Sequence, residues 1–446
     1  MKIEIPIDVA EIIDTIEQAG FEAYAVGGCV RDCVLGREPK DWDITTNAKP
    51  HQVKELFRRT IDTGIQHGTV TVMMGNEGYE ITTYRIDGEY EDGRHPKEVC
   101  FTGSLAEDLR RRDFTMNAMA YHPKRGLVDL YGGIEDIQNG IIRCVGCATE
   151  RFTEDALRMM RAVRFAGETG FAIEEETLAA MKQLSSNLSK VSAERIRVEL
   201  EKLLVSMHPE RLLIAYETGL TAVFMPEFDR LMKTGQNNPH HCYRVGEHTI
   251  QVIMHAPRTK VLRLAALFHD FGKAETKTTD EDGIDHFPFH QIKSKEMTIE
   301  IMKRLKFDND TIKKVSSLVE YHDHTFSSKE SGMRKNITKI GLEQFPELFE
   351  LKRADMLGQS TFQREEKEAE LARVIALYEK ILAQQDCLSM KDLAVKGADL
   401  MQVGIPGGKQ MGTILNTLFA YVLEHPKDNE RELLLELAKK LYQENA

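Results

Sequence analysis

Apolar positions recur every three to four residues through VAEIIDTIEQAG, which predicts an amphipathic helix over residues 9–20 that Gly20 ends. The pattern then changes: FEAYAV is an apolar run of strand length, Gly27 and Gly28 interrupt it, and VRDCVLG resumes as a short helix. GTVTVMM and YEITTYR are β-rich and flank the turn signal GNEG, so a hairpin is expected there. From about residue 150 strand signals fade, and ERFTEDALRMMRAVRFAGETG and SAERIRVELEKLLVSM carry helical periodicity. KTGQNNPHH breaks that periodicity near residue 235. A histidine-rich helical region follows to about residue 358, and the remainder is charged and helical with one break at VGIPGGKQMG. These shifts predict an α/β head over residues 1–148, a helical neck over 149–235, a third domain over 236–360 and a helical tail over 361–446.

A chain of 446 residues exceeds one ordinary core, since domains run to roughly 100 to 200 residues. Hydrophobic residues at 41% and charged residues at 29% are the usage of a folded globular protein rather than a disordered one. No apolar run reaches the roughly 18 to 20 residues that cross a bilayer, and MKIEIPIDVAEII lacks the flank and cleavage site of a signal peptide. A cytoplasmic protein without a membrane partner is the expectation. The seven cysteines are scattered, and the pair Cys144 and Cys147 has no second CxxC or CxxH to complete a zinc site, so reduced structural thiols are expected. A net charge of -12 argues against an extended phosphate-binding face. Clusters at Arg110, Arg111 and Arg112 and at Arg158, Arg161 and Arg164 confine any polyanion site to one cleft.

Asp41 and Asp43 flank Trp42 in PKDWDITT. On a strand, alternate residues share a face, so both carboxylates would project the same way and suit hard cations. Two divalent ions about 3.5 to 4 Å apart can activate a 3'-hydroxyl and neutralise a departing pyrophosphate. A surface aspartate pair at a strand end is the competing reading. Upstream, Gly27 and Gly28 stand at a strand-to-helix junction, where backbone NH groups can approach a triphosphate, and Arg31 lies one turn into the helix.

The stretch AVGGCVRDCVLGREPKDWDITT resembles the opening pattern of the class II CCA-adding enzymes and bacterial poly(A) polymerases of the polymerase β superfamily. RRRDFTMNAMAY, residues 110–121, is similar to a second motif of that family. The resemblance implies a polymerase β-like α/β nucleotidyltransferase head followed by all-α neck, HD and tail domains. It implies template-independent transfer of CMP and AMP from CTP and ATP to the tRNA 3' end, with release of pyrophosphate. Asp41 and Asp43 would then bind Mg2+, Gly28 and Arg31 would contact the incoming nucleotide, and Arg112 would steady its triphosphate. Glu80, in YEITTYR, stands where the family places a third catalytic acid; a cross-strand ion pair worth a few tenths to about 1 kcal/mol is the alternative.

A polymerase without a template must read the base with side chains. In EDALRMMRAVRF, Asp155 can accept from the exocyclic amine of cytosine or adenine, and Arg158 can donate to the adjacent ring atoms. Residues three apart on a helix also form ordinary ion pairs of about 0.2 to 0.5 kcal/mol. The match to the family's templating helix implies Asp155 and Arg158 as base readers, with Arg161 and Arg164 as further nucleotide contacts; Met159 and Phe165 are expected in the core.

His248 in GEHTIQVI precedes the adjacent His269 and Asp270, which end the apolar helix VLRLAALF; such groups are costly to bury unless paired or bound to metal. His286, His290, His322 and Asp355 follow. The pattern resembles an HD domain, the metal-dependent phosphohydrolase superfamily, and implies a second divalent metal, a transition ion, at His248, His269, Asp270 and Asp355, with Asp323 competing for the last place. Such a domain either hydrolyses phosphates or supports tRNA. The tail segment GADLMQVGIPGGKQMGTILNTL resembles the tRNA-contacting module of these enzymes, although GIPGGKQMG departs from the expected proline-glycine-proline form.

The rival readings are an A-adding enzyme, a poly(A) polymerase, and an HD phosphohydrolase whose head only binds tRNA. The polar segment DGEYEDGRHPKEVCF predicts a mobile surface loop. The resemblance implies that this loop helps the pocket pass from C to A. Deleting residues 92–96 should therefore spare CMP addition and block the final AMP, read with labelled CTP and ATP on tRNAs ending at the discriminator base and at CC; A addition at the parental rate would remove the loop from the switch.

Overall fold

The computed structural model describes residues 2–87, 99–237 and 242–444; the predicted loop at residues 92–96 lies outside them. The chain divides into two compact units, Met1–Asp229 with Arg304–Phe307, and Arg230–Lys303 with Asp308–Ala446.

The first unit opens with helix α1 (Ile7–Gln18), whose Val9, Ile12, Ile13 and Ile16 are fully buried in the spacing that the sequence predicts. They share one core with Ile44, Val70, Val72 and Ile81 of the neighbouring sheet. Gly20, at φ +88°, takes the left-handed turn that stops the helix. Strand β1 (Ala23–Val26) leads through Gly27 into α2 (Gly28–Val34). Then come β2 (Asp43–Thr46), α3 (Pro50–Leu56), β3 (Thr60–Gly64), β4 (Thr69–Met74) and β5 (Glu77–Thr83). The expected hairpin is β4 with β5, closing at Met74 and Glu77.

Two strands, β6 (Arg85–Asp87) and β7 (Val99–Phe101), pair with each other outside the main sheet. Helix α4 (Leu105–Arg110), β8 (Met119–His122), β9 (Gly126–Asp129) and α5 (Gly133–Asn139) complete the head. The seven-stranded sheet has the order β3-β4-β5-β2-β1-β8-β9, and it is mixed because β2 runs parallel to β5 while its other neighbour β1 is antiparallel.

The neck is helical but not purely so: β10 (Ile141–Ile142) pairs in parallel with β11 (Ala172–Ile173). The helix expected to run through EDALRMM is broken. Helix α6 (Ala148–Glu154) ends before Asp155, which takes an extended conformation, and α7 (Leu157–Thr169) starts afresh. The cause is local, since the Asp155 carboxylate accepts the Leu157 N–H at 3.0 Å and so caps the new helix. Met159 and Phe165 are buried as expected. After α8 (Glu175–Leu184), α9 (Ala193–Leu204) crosses α7 at Gly167, where a Cβ would lie 2.6 Å from the Leu203 side chain.

The second unit is built of helices, with one two-stranded ladder, Thr278–Thr279 against Asp285–His286, that the all-α expectation missed. Helices Val245–His255, Lys260–Phe268, His290–Arg304, Asn309–Tyr321 and Phe345–Gly358 carry the histidine-rich segment. Helices Arg364–Ala383, Lys409–Glu424 and Arg431–Glu444 follow, and Leu400, Ile405, Leu418 and Leu434 belong to a separate apolar core. No helix among the described residues is long and apolar enough to cross a membrane.

Candidate functional site

Asp43 is the first residue of β2, and Asp41 precedes the strand instead of sharing it. The shared-face expectation is met by a different pair: the parallel register of β2 and β5 sets Glu80 directly beside Asp43. Side chains at paired positions of adjacent strands point to the same face. All three carboxylates reach solvent. The Asp43 carboxyl is nevertheless held above its ordinary range, first by the desolvation of the recess at the strand end, against Arg112 and with repulsion from Glu80 and Asp41. Among the described residues these acids do not gather as tightly as a closed metal cluster does. An open carboxylate trio with one strained proton affinity fits divalent cations that keep part of their own hydration.

Gly27, at φ +80°, turns the chain from β1 into α2, and a Cβ there would lie 2.8 Å from Arg112 Nη1. The missing side chain is the space the guanidinium uses. Arg112 Nη2 is 3.5 Å from the buried Asp108, and Arg112 Nε is buried without a hydrogen-bond partner. Gly28 opens α2, and Arg31 donates to Asn117 Oδ1 at 2.7 Å and to Asp32. Asn117 in turn donates to Asp113 at 3.0 Å, and Asp113 accepts from Arg161 Nε at 2.8 Å. Desolvation would raise the Asp113 carboxyl, but Arg161 and Asn117 hold it well below the usual range.

The two base-reading candidates do not pair with each other. Asp155 is taken by Arg195 of α9, with Nη2 at 2.7 Å, while Arg158 is engaged by Glu154 and donates to the Arg151 and Arg111 carbonyls at 3.1 and 3.0 Å. The helix break separates them by turning Asp155 into a cap. Arg161 and Arg31 stand 5.3 and 5.0 Å from the Phe165 ring centroid, and Arg164 stands 3.8 Å from it. Arg164 is buried and held by Glu199 and Glu168, so its charge is spent within the neck. Asp113, Asn117 and Arg195 escaped the sequence reading; the segment RRDFTMNA contained two of them, but only the fold shows that they face arginines.

In the second unit four imidazoles converge. His248 Nε2 is 3.0 Å from Asp355 Oδ1 and 3.3 Å from His269 Nε2. His269 Nε2 is 3.2 Å from Asp270 Oδ2. On the other side of Asp270, His290 Nε2 lies 3.4 Å and His322 Nε2 3.7 Å from Oδ1, and the two rings are 3.3 Å apart at Nε2. The Nδ1 atoms of His248, His269, His290 and His322 each meet a backbone carbonyl, of Gly358, Ala266, Phe287 and Val319, at 2.7 to 3.1 Å. A carbonyl only accepts, so each Nδ1 carries a proton and each ring turns its Nε2 inward, toward the aspartates. Nε2 atoms 3.3 Å apart beside carboxylates form a donor set that suits a shared cation. Asp270 Oδ2 is buried with no aligned donor, although Lys273 Nζ is 2.8 Å away. Two groups have ligand atoms within 4.8 Å of one another: His248, His269 and Asp270, and Asp270, His290 and His322. Asp355 joins the first through His248, and Asp323, its rival, is not in either group. His290 and His322 complete a constellation that the sequence showed only as scattered residues, while His286 pairs instead with Asp280.

Asp113 gives a pH-dependent test. Its folded pKa lies below the unfolded value, so its contribution is full above about pH 5 and is lost as pH falls through the carboxylate range. Asp113→Asn should cost about 1 to 3 kcal/mol at neutral pH, because Arg161 is a third exposed and water screens part of the loss. The gap in thermal midpoint between variant and parent should hold above about pH 5 and shrink as pH falls from there toward about pH 2; a constant gap would show that Asp113 is not ionised through its arginine.

Residues 23–143 match the family described as the Poly A polymerase head domain, and residues 279–438 match tRNA nucleotidyltransferase domain 2. The CCA-adding enzyme of Lactiplantibacillus plantarum is 52% identical over 221 residues, a stretch covering 50% of this chain and 53% of that relative. The CCA-adding enzyme of Levilactobacillus brevis is 37% identical over 428 residues, 95% of each protein. The crystal structure of the Bacillus stearothermophilus CCA-adding enzyme in complex with CTP superposes with a TM-score of 0.75 at 30% identity, covering 99% of both chains. With full-length identity at this level and the same head architecture, the chain belongs to the CCA-adding enzyme family of tRNA nucleotidyltransferases.

Proposed function

We propose that this chain adds CMP and AMP from CTP and ATP to the 3' end of tRNA, and that it acts in the cytoplasm as four functional parts, head, neck, HD domain and tail. The observation that carries the reading is the register of β2 on β5, which sets Asp43 beside Glu80 while Gly27 makes room for Arg112. In this reading Asp41, Asp43 and Glu80 hold Mg2+. Bound there, the ions favour the deprotonated 3'-hydroxyl and offset the charge of the departing pyrophosphate.

Arg112, with a buried Nε that lacks a partner, holds triphosphate oxygens, and Gly28 lets the nucleotide approach the start of α2. Arg31 is aimed by Asn117. Asp155 and Arg158 read the base edge, and Arg195 fixes the orientation of Asp155 by gripping both of its oxygens. A carboxylate has about four acceptor sites, so Asp155 can keep Arg195 and still receive an exocyclic amine. Arg161 acts beside Phe165, whereas Arg164, spent on Glu168 and Glu199, contributes through the neck's structure more than through the nucleotide.

Asp41→Ala or Asp43→Ala should lower nucleotide addition by on the order of a hundredfold or more while tRNA binding stays near the parent's. Near-parental turnover in Mg2+ by either variant would sink the metal assignment. Labelled CTP and ATP offered to tRNAs ending at the discriminator base, at C or at CC give the product: addition on CC ends alone would make this an A-adding enzyme.

The histidine cluster supports a second activity, a metal-dependent phosphohydrolase. His248, His269, Asp270 and Asp355 would hold one divalent transition ion and Asp270, His290 and His322 another, with Asp270 shared. Such ions polarise a phosphoryl oxygen and lower the pKa of a water. The chain's own part is to present four inward Nε2 atoms, oriented by the four Nδ1 hydrogen bonds. With Mn2+, Ni2+ or Co2+, phosphatase or phosphodiesterase activity on cyclic nucleotides or tRNA 3' phosphates should vanish in His269→Ala/Asp270→Ala while nucleotide addition persists. Lack of any such activity in the parent would leave the domain structural.

A further inference from the structure

Two cavities, both within the second unit, border the histidine cluster. One, of about 450 Å³, is walled by Phe326, Met356, Leu371 and Val374 and carries Lys352 and Lys367. The other, of about 460 Å³, carries Lys273, Phe287 and Phe289. His322, Asp323, Asp355 and Gln359 line both. Of the residues that would hold metal, His322 and Asp355 stand where the two recesses meet, and Asp270 and His290 line the second.

Each recess combines cationic, acidic and apolar groups, with Glu370 beside the lysines of the first and Asp270 and Asp285 beside Lys273 in the second. In the first, Lys352 Nζ lies 5.2 Å from the Phe326 ring centroid. Lys367 Nζ donates to Gln359 Oε1 at 2.7 Å, and Gln359 Nε2 donates to Asp355 at 3.2 Å, so this lysine is tied to the cluster. In the second, Lys273 Nζ is 2.8 Å from Asp270 and 5.3 Å from the Phe287 ring centroid. Phe289 is 72% exposed and has φ 57°, immediately before His290. A bulky side chain at positive φ is an outlier, and strain of this kind is concentrated at functional sites. The ring is held at the mouth of the recess with nothing of its own chain to pack against on most of its surface.

The geometry points to a linear phosphodiester between two nucleosides as the ligand of this centre. Its phosphate lies at the histidine and aspartate cluster, one nucleoside enters the Phe326 recess, and the other stacks on Phe289. A monoester, or a cyclic phosphate on one sugar, has a substituent on one side only and would leave one recess empty. Each recess falls in the size range of small-ligand sites, roughly 300 to 1,000 Å³. Aromatic stacking contributes on the order of tenfold in affinity per base. Because the lysines share these recesses with Asp323, Asp355 and Glu370, the phosphate charge is met chiefly by cations held at the cluster.

Binding of such a ligand rests on the metal-holding part of the phosphohydrolase reading, and only its cleavage rests on turnover. In that step a water oxygen bonds to phosphorus and one P–O ester bond breaks. The water's proton ends on the departing oxygen, giving a phosphomonoester and an alcohol with no change of oxidation state.

The test uses the full-length protein and a diadenosine 3',5'-phosphorothioate, which resists cleavage, against adenosine 5'-thiophosphate as the one-sided probe. Equilibrium titration should show the two-sided probe binding about tenfold more tightly, and Phe289→Ala and Lys352→Gln should each remove about tenfold of that preference. Metal content of both variants, measured after dialysis against Mn2+, should match the parent, which separates a lost recess from a collapsed centre. Equal binding of the two probes, or a preference unchanged in both variants, overturns the proposal. A preference that the variants remove, in a Mn2+-loaded protein that cleaves neither adenylyl-3',5'-adenosine nor AMP, upholds the diester site and refutes the phosphohydrolase reading.

Discussion

The head and neck of the first unit depend on one buried carboxylate. Asp113 receives Arg161 from α7 on one oxygen and Asn117 on the other, and Asn117 passes the constraint to Arg31 in α2. Without that anion, Arg161 would lose its partner, and α7 would lose a tie that holds Phe165 against Arg31 of α2. Helix α7, with Arg158, is thereby registered on the same frame as Gly27 and Arg112, and that frame is in turn fixed to the strand end bearing Asp43. Position along the sheet, not proximity in sequence, makes these groups a site.

The two carboxylate-bearing centres solve different problems. At the end of β2 the acids are exposed and loosely set, an arrangement that would suit ions arriving and departing with a nucleotide. In the second unit the imidazoles are buried and their protons are committed to carbonyls at helix ends, which suits resident ions held through nitrogen.

Much of the first centre was legible in the chain because its signals are local. The β4 and β5 hairpin, the Gly27 and Gly28 junction and the DxD triplet each occupy a few consecutive residues. The break before α7 was misread because helical spacing runs uninterrupted through EDALRMM, while Asp155 stops the helix by a side-chain hydrogen bond that periodicity cannot register. Partners distant in sequence were out of reach: Arg195 is 40 residues from Asp155, and the joining of His290 with His322 requires two helices to meet. The Asp43 and Glu80 pairing needed the parallel register, which no single strand encodes.

The sharing of Asp270 between two sets of imidazoles sets the order in which a lineage can abandon this centre. Losing one histidine strips a buried carboxylate of a partner and burdens folding, so isolated histidine substitutions are selected against even where the chemistry is no longer needed. Losing the aspartate first removes the charge that makes the histidines obligatory, after which they can drift one by one. Descendants with a silent centre should accordingly retain histidines without the aspartate far more often than the aspartate without its histidines.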